Sequence, residues 1–88
     1  MLFVIQYEFV PENRDMAQAR FRETGGLPPD GVKMIGRWHA AAGGEGMIVC
    51  ETDDAISIGL WMQQWTDLLA FHVTPVYDDE GAMKVLGA

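Results

Sequence analysis

Cysteine is almost missing from this 88-residue sequence, with Cys50 its single representative. One thiol excludes an internal disulfide and any site built from several cysteines, and it accords with a reducing, cytoplasmic setting. Basic side chains are few, six against thirteen acidic ones, for a net charge of −7. Such a chain repels phosphate backbones and anionic lipid, so neither nucleic acid nor a membrane surface is expected as a partner. No apolar run approaches the ~20 residues needed to cross a bilayer. The apolar start Met1–Ile5 has no basic leader and meets charge at Glu8, so it reads as a strand and not as a signal peptide. A phosphate-cradling glycine loop and a clustered ligand set are also missing, so no haem, flavin or metal is expected. With no linker and no repeat beyond two β-α-β halves, residues 1–88 read as one domain.

What is present points to a globular α+β fold. Hydrophobic residues make up 49% of the chain and charged ones 22%, outside the range of disordered sequences. At this length folding removes only roughly 60–65% of the chain's surface from water, so pairing with a second copy would enlarge a modest core. Leu2–Val10 is β-branched and aromatic, with Phe3, Ile5, Tyr7 and Phe9 on one side and Leu2, Val4, Gln6 and Glu8 on the other. Pro11 ends that strand, and Asn13 is placed to cap a helix that carries Met16, Ala17 and Phe21 and stops at Gly25-Gly26. After the stiff turn Leu27–Gly31, the runs Val32–Ala42 and Glu45–Thr52 form a hairpin about Gly43-Gly44. Thr52-Asp53-Asp54 opens a second helix bearing Ile58, Trp61, Met62, Trp65, Leu68 and Leu69. Phe71–Tyr77 alternates as a fourth strand, its Pro75 suited to a sheet edge. The tail 78–88 is left as a short helical turn or a loose end. The order is βαββαβ, a ferredoxin-like antiparallel four-stranded sheet with two helices on one face.

A two-residue turn at Gly43-Gly44 sets Ala42 against Glu45, and Arg37, Trp38 and His39 against Cys50, Val49 and Ile48. On that count Trp38, Met47 and Val49 join Phe3, Ile5, Tyr7, Phe9, Phe71 and Val73 beneath the helices. The opposite face collects Gln6, Glu8, Arg37, His39, Ile48, Cys50, His72 and Thr74. It is polar with apolar members, which fits either a solvated sheet or the wall of an enclosed cavity.

Several of these segments resemble a known family: Met1-Leu2-Phe3 opening a strand, Trp38 before Gly43-Gly44, Glu51-Thr52-Asp53-Asp54, Trp61 and Trp65 followed by Asp67, and Phe71–Val76. Together they resemble the bacterial family called domain of unknown function 3303, from Met1 to about Val76. The resemblance implies membership of the dimeric α/β-barrel superfamily, in which two ferredoxin-like subunits pack sheet against sheet. That superfamily includes cofactor-free monooxygenases, haem-degrading monooxygenases and muconolactone isomerases, so the resemblance implies a fold and a homodimer and leaves the reaction open. His72 stands where that family is expected to carry an acidic residue. Gln6, Trp61 or Trp65, and His72 only loosely echo the asparagine, tryptophan and histidine of haem-degrading relatives.

The residues chosen as ligand contacts are Gln6, Glu8, Arg37, His39, His72 and Thr74, with His39 and His72 as the candidate catalytic bases. A zinc site would need a third ligand from Glu8, Glu51 or Cys50, and no spacing demands one. Trp61 and Trp65, four apart, read as core packing, with an aromatic wall for a planar ligand as the alternative. Cys50 reads as an inert buried thiol, and Glu51–Asp54 as a helix cap and not a calcium loop. The leading expectation is a homodimer holding a small neutral or aromatic organic molecule in a sheet-to-sheet cavity. The alternatives are a cofactor-independent monooxygenase or isomerase, and a structural or regulatory dimer without ligand.

Overall fold

A computed structural model describes residues 1–87. In chain order the elements are β1 (Leu2–Glu8), a 3-10 turn at Pro11–Asn13, α1 (Arg14–Thr24), β2 (Lys33–His39), β3 (Glu45–Glu51), α2 (Ala55–Gln63), β4 (Ala70–Val76) and α3 (Asp79–Val85). The strands form one antiparallel sheet in the order β2-β3-β1-β4. This is the ferredoxin-like arrangement, with a third helix added at the end. Pro75 sits on β4, an edge strand, where its missing N–H leaves no gap in the ladder.

Local chemistry accounts for the helix ends. Asp54 caps α2 by accepting from the Ile56 amide (3.0 Å) and the Ser57 hydroxyl (3.2 Å). Asp78 caps α3 in the same way, accepting from the Gly81 amide at 3.0 Å. Asn13 does not cap α1 with its side chain. Its amide instead donates to the Leu68 carbonyl (3.0 Å), so the residue joins the start of α1 to the segment that follows α2. The α2 spacing outruns the α-helix itself. Beyond Gln63 the chain continues in tight turns, Trp65 N–H to Met62 O at 2.8 Å and Leu68 N–H to Trp65 O at 2.9 Å, which keep Trp65 and Leu68 inward. In the tail, α3 buries none of its residues and leaves Met83, Val85 and Leu86 exposed. Ala88, the last residue of that tail, lies outside the described residues.

Two features of the hairpin differ from the expected pairing. The turn spans four residues: the Ala40 amide donates to Glu45 O (2.9 Å) and the Gly43 amide to Ala40 O (2.8 Å), with Gly43 and Gly44 both at positive φ (84° and 85°). This moves β2 by two positions against β3, pairing Arg37, Trp38 and His39 with Ile48, Met47 and Gly46. A two-residue shift preserves sides, so Arg37 and His39 still share a face with Ile48 and Cys50. The docking of the hairpin onto β1 is what inverts the expected faces. Phe3 pairs with Cys50, Ile5 with Ile48 and Tyr7 with Gly46.

Arg37, His39, Ile48 and Cys50 therefore lie beneath the helices with Phe3, Ile5 and Tyr7. Trp38, Met47 and Val49 lie on the open face with Gln6, Val4 and Leu2. Burial explains the choice: Ile48 and Cys50 become core residues at 4% and 0% exposure, whereas Trp38 is left 57% exposed. The core is Phe3, Ile5, Val32, Ile48, Cys50, Ile58, Trp61 and Met62, with Met34 and Phe71 packed against it. The expected core role of Trp61 and Trp65 is met, at 1% and 8% exposure.

Candidate functional site

Between the helix-covered face of the sheet and the two helices α1 and α2 lies a cleft of about 1170 Å³. Its apolar wall comes from Ile48, Trp61, Met62, Trp65 and Phe71, and its polar groups include Tyr7, Arg37 and His39. A mostly apolar concavity with a few converging polar groups has the composition of a small-molecule site.

Tyr7, Gly46 and His39 stand in register on three adjacent strands, β1, β3 and β2. Gly46 has no side chain to separate its neighbours, and a Cβ there would collide with the Tyr7 ring. The ring leans across this gap until its hydroxyl lies 2.5 Å from His39 Nδ1. The tautomer sets the direction of this bond: a tyrosine donor leaves the imidazole proton on Nε2, whereas an Nδ1–H donor leaves Nε2 free. Phe21 of α1 closes the other side of the imidazole edge-on, with ring centroids 5.4 Å apart. Burial pushes the Tyr7 phenol up from its ordinary value, and the nearby Arg37 charge pulls it partly back.

Arg37 spends two donors on the end of α1. Its Nη1 donates to Gly26 O at 2.7 Å and its Nη2 to Gly25 O at 2.8 Å, and the guanidinium stacks over Phe21 at 4.8 Å. These contacts satisfy orphan carbonyls at the negative end of the helix dipole and hold α1 to β2. Desolvation lowers the Arg37 pKa, an effect partly offset by Tyr7. One turn before the end of α1, Arg20 grips Asp67 through two contacts of 2.7 Å, donates to Gln64 O at 2.8 Å, and lies 5.4 Å over the Trp65 ring. Asn13 at the start of α1, with Arg20 and the Arg37 contact toward its end, thus ties the helix that roofs the cleft to the rest of the fold.

The six expected ligand contacts do not form one site. Arg37 and His39 reach the cleft, joined by Tyr7, which the sequence placed with the core. Gln6, Glu8, His72 and Thr74 lie exposed on the open face, with Gln6 paired to His72 and Val4 to Thr74. The thickness of the sheet separates them from the cleft, so His39 and His72 cannot act on one molecule there. Cys50 is fully buried and its thiol is pushed up by desolvation, which leaves it unreactive. No group of three metal-ligating side chains converges among the described residues.

Sequence reasoning also passed over the α1 residues on the cleft wall, Arg14, Gln18, Phe21 and Arg22. The signal available was the i, i+4, i+8 row Arg14-Gln18-Arg22, which adjoins Ala17 and Phe21 on the helix surface.

The family model described as Domain of unknown function (DUF3303) matches residues 1–88. Among solved structures, the chain is similar to "Structure of Rv0793 from Mycobacterium tuberculosis". That likeness has 19% identity and a TM-score of 0.54, and covers 88% of this chain and 95% of the other. At this identity it establishes a shared fold. No curated protein matches the chain.

Proposed function

The chain belongs to this family of domains of unknown function, and from that premise we propose that it binds a small aromatic molecule in the cleft between α1, α2 and the sheet. The observation that carries the reading is the convergence of Tyr7, His39 and Arg37 on a space otherwise walled by Ile48, Trp61 and Trp65. The reading moves the ligand from the expected sheet-to-sheet cavity to the helix side, because the pairing of the hairpin with β1 carries Arg37 and His39 there.

We assign the open sheet face to a second copy of the chain. Leu2, Val4, Met47, Val49 and Trp38 give it an apolar centre, and Glu8, Lys33, Glu51 and His72 supply charge of both signs at its margins. A two-fold pairing would use this same face on both copies and remove Trp38 and Met47 from water.

The Tyr7–His39 contact also favours a second reading, proton-transfer catalysis. In the tautomer that donates its Nδ1–H to the Tyr7 oxygen, His39 presents a free Nε2, which would take a proton from an activated phenol or lactone while Tyr7 orients the ring. The test of binding is a panel of phenols and naphthalenes titrated into 15N-labelled protein. Shifts centred on Tyr7, Phe21 and His39 are expected. Shifts centred on Gln6 and His72, or none, overturn the assignment. For catalysis, exchange of acidic substrate protons in D2O should be lost in His39→Gln.

A further inference from the structure

The charges of this chain are distributed very unevenly around the cleft. Thirteen acidic side chains outnumber six basic ones, yet three of the basic residues, Arg14, Arg22 and Arg37, line the cleft and Glu45 is the one acidic residue beside them. An acidic protein has thus gathered a positive site against its own net charge, and a low-dielectric wall focuses that field.

Arg37 strengthens the case. Its guanidinium is half-buried and forms no ion pair among the described residues, its hydrogen bonds going to the neutral carbonyls of Gly25 and Gly26. A half-buried cation held by neutral carbonyls keeps its full charge available to an anion that enters the cleft. Arg22 forms no ion pair among the described residues, and Arg14 pairs only with its exposed neighbour Asp15. Arg14 and Arg22 fall on one row of α1, two turns apart, with Gln18 between them. Though exposed, they border the same space as Phe21, His39 and Trp65.

We infer that the cleft selects an aromatic carboxylate, its ring packed against Trp65 and Phe21 and its charge met by the arginines. This rests on the cleft being a ligand site, as proposed above, and it replaces the neutral ligand expected from sequence with an anionic one. Planar guanidinium groups recognise carboxylates by paired hydrogen bonds, a geometry that a neutral amide of the same shape cannot reproduce.

The experiment is a matched pair of probes, 2-naphthoate and 2-naphthamide, titrated into the full chain and followed by tryptophan fluorescence and by 15N shifts. The naphthoate should bind at least about tenfold more tightly at low salt, and its advantage should shrink as salt rises. Arg22→Gln and Arg14→Gln, both at exposed positions, should reduce that advantage by weakening naphthoate binding more than naphthamide binding. Arg37→Gln is a less direct test because it also releases the end of α1. Equal binding of the two probes, or tighter binding of the amide, overturns the carboxylate assignment and leaves the cleft as a ligand site. If neither probe binds and no member of the wider aromatic panel does, both readings fall.

Discussion

Tyr7 reaches His39 only because Gly46 stands between them. The two residues lie on strands β1 and β2, separated by β3, and the phenol crosses the bare backbone of the glycine to bring its hydroxyl 2.5 Å from Nδ1. A Cβ at position 46 would overlap the Tyr7 ring, and the Trp38 carbonyl crowds the same point from the other side.

Gly46→Ala should therefore cost about 1–3 kcal/mol in denaturant unfolding, from overpacking against two neighbours that cannot both withdraw. It should also abolish the Tyr7–His39 hydrogen bond, seen as a change in the His39 ring-nitrogen shifts. Tyr7→Phe should lose the same bond at a smaller cost in stability. If Gly46→Ala melts like the parent and keeps its His39 signals, the crossing described here is wrong.

Trp65 and His72 should respond in opposite ways. Trp65 is 8% exposed, and Arg20 stacks on its outer edge. Truncation to alanine should open a cavity and cost ~3–5 kcal/mol, a large share of the stability of so small a domain. His72 is exposed on the edge strand β4 and should accept alanine within about 1 kcal/mol. Thermal melts of the two variants compare them directly, and a reversed ranking would contradict the face assignment.

The Arg20–Asp67 clasp should make stability depend on acid. The paired hydrogen bonds from Arg20 hold the Asp67 carboxyl below its ordinary value. A carboxylate whose folded pKa is depressed contributes fully above its unfolded value, about 4, and that contribution is lost as pH falls through the folded value. Melting temperature should thus drop below pH ~4, and less steeply in Asp67→Asn, whose stability at neutral pH already lacks the clasp. Because Asp67 is exposed and Arg20 partly so, salt should weaken the effect. Parallel acid limbs in parent and variant would show that the clasp adds nothing.

Self-association can be read from a single charge. The parent should sediment as a dimer at micromolar concentration, and Val49→Glu, placed at the centre of the open face, should shift it to a monomer with an unchanged far-UV spectrum. A parent that stays monomeric at high micromolar concentration removes the second copy from the open face. A variant that remains dimeric moves the interface elsewhere, with exposed α3 as the next surface to test.

The sequence by itself determined the order and type of the elements from β1 to β4, and left the tail that forms α3 open. Alternation in Leu2–Glu8 and Phe71–Val76, the aspartate cap before Ala55, the paired glycines and the proline on β4 are local signals. Each acts through backbone sterics or through neighbours a few residues apart, and each appears where the residues indicated. The burial of Trp61, Met62 and Trp65 was legible for the same reason, since helical spacing makes them one stripe. Only the tertiary structure decided which face of the hairpin meets the helices. Alternation says that Arg37 and His39 oppose Trp38, but both sets contain enough apolar residues to face a core, and a strand's period of two leaves the choice to its pairing with a distant strand. That pairing buries Ile48 and Cys50 and exposes Trp38, and it divides the six expected contacts between two sides of the sheet. The row of arginines on α1 acquires meaning in the same way. Its residues are a solvated face until the fold sets them over a cleft, because the position of α1 depends on Arg37 and Asp67, partners that lie far from it in the chain.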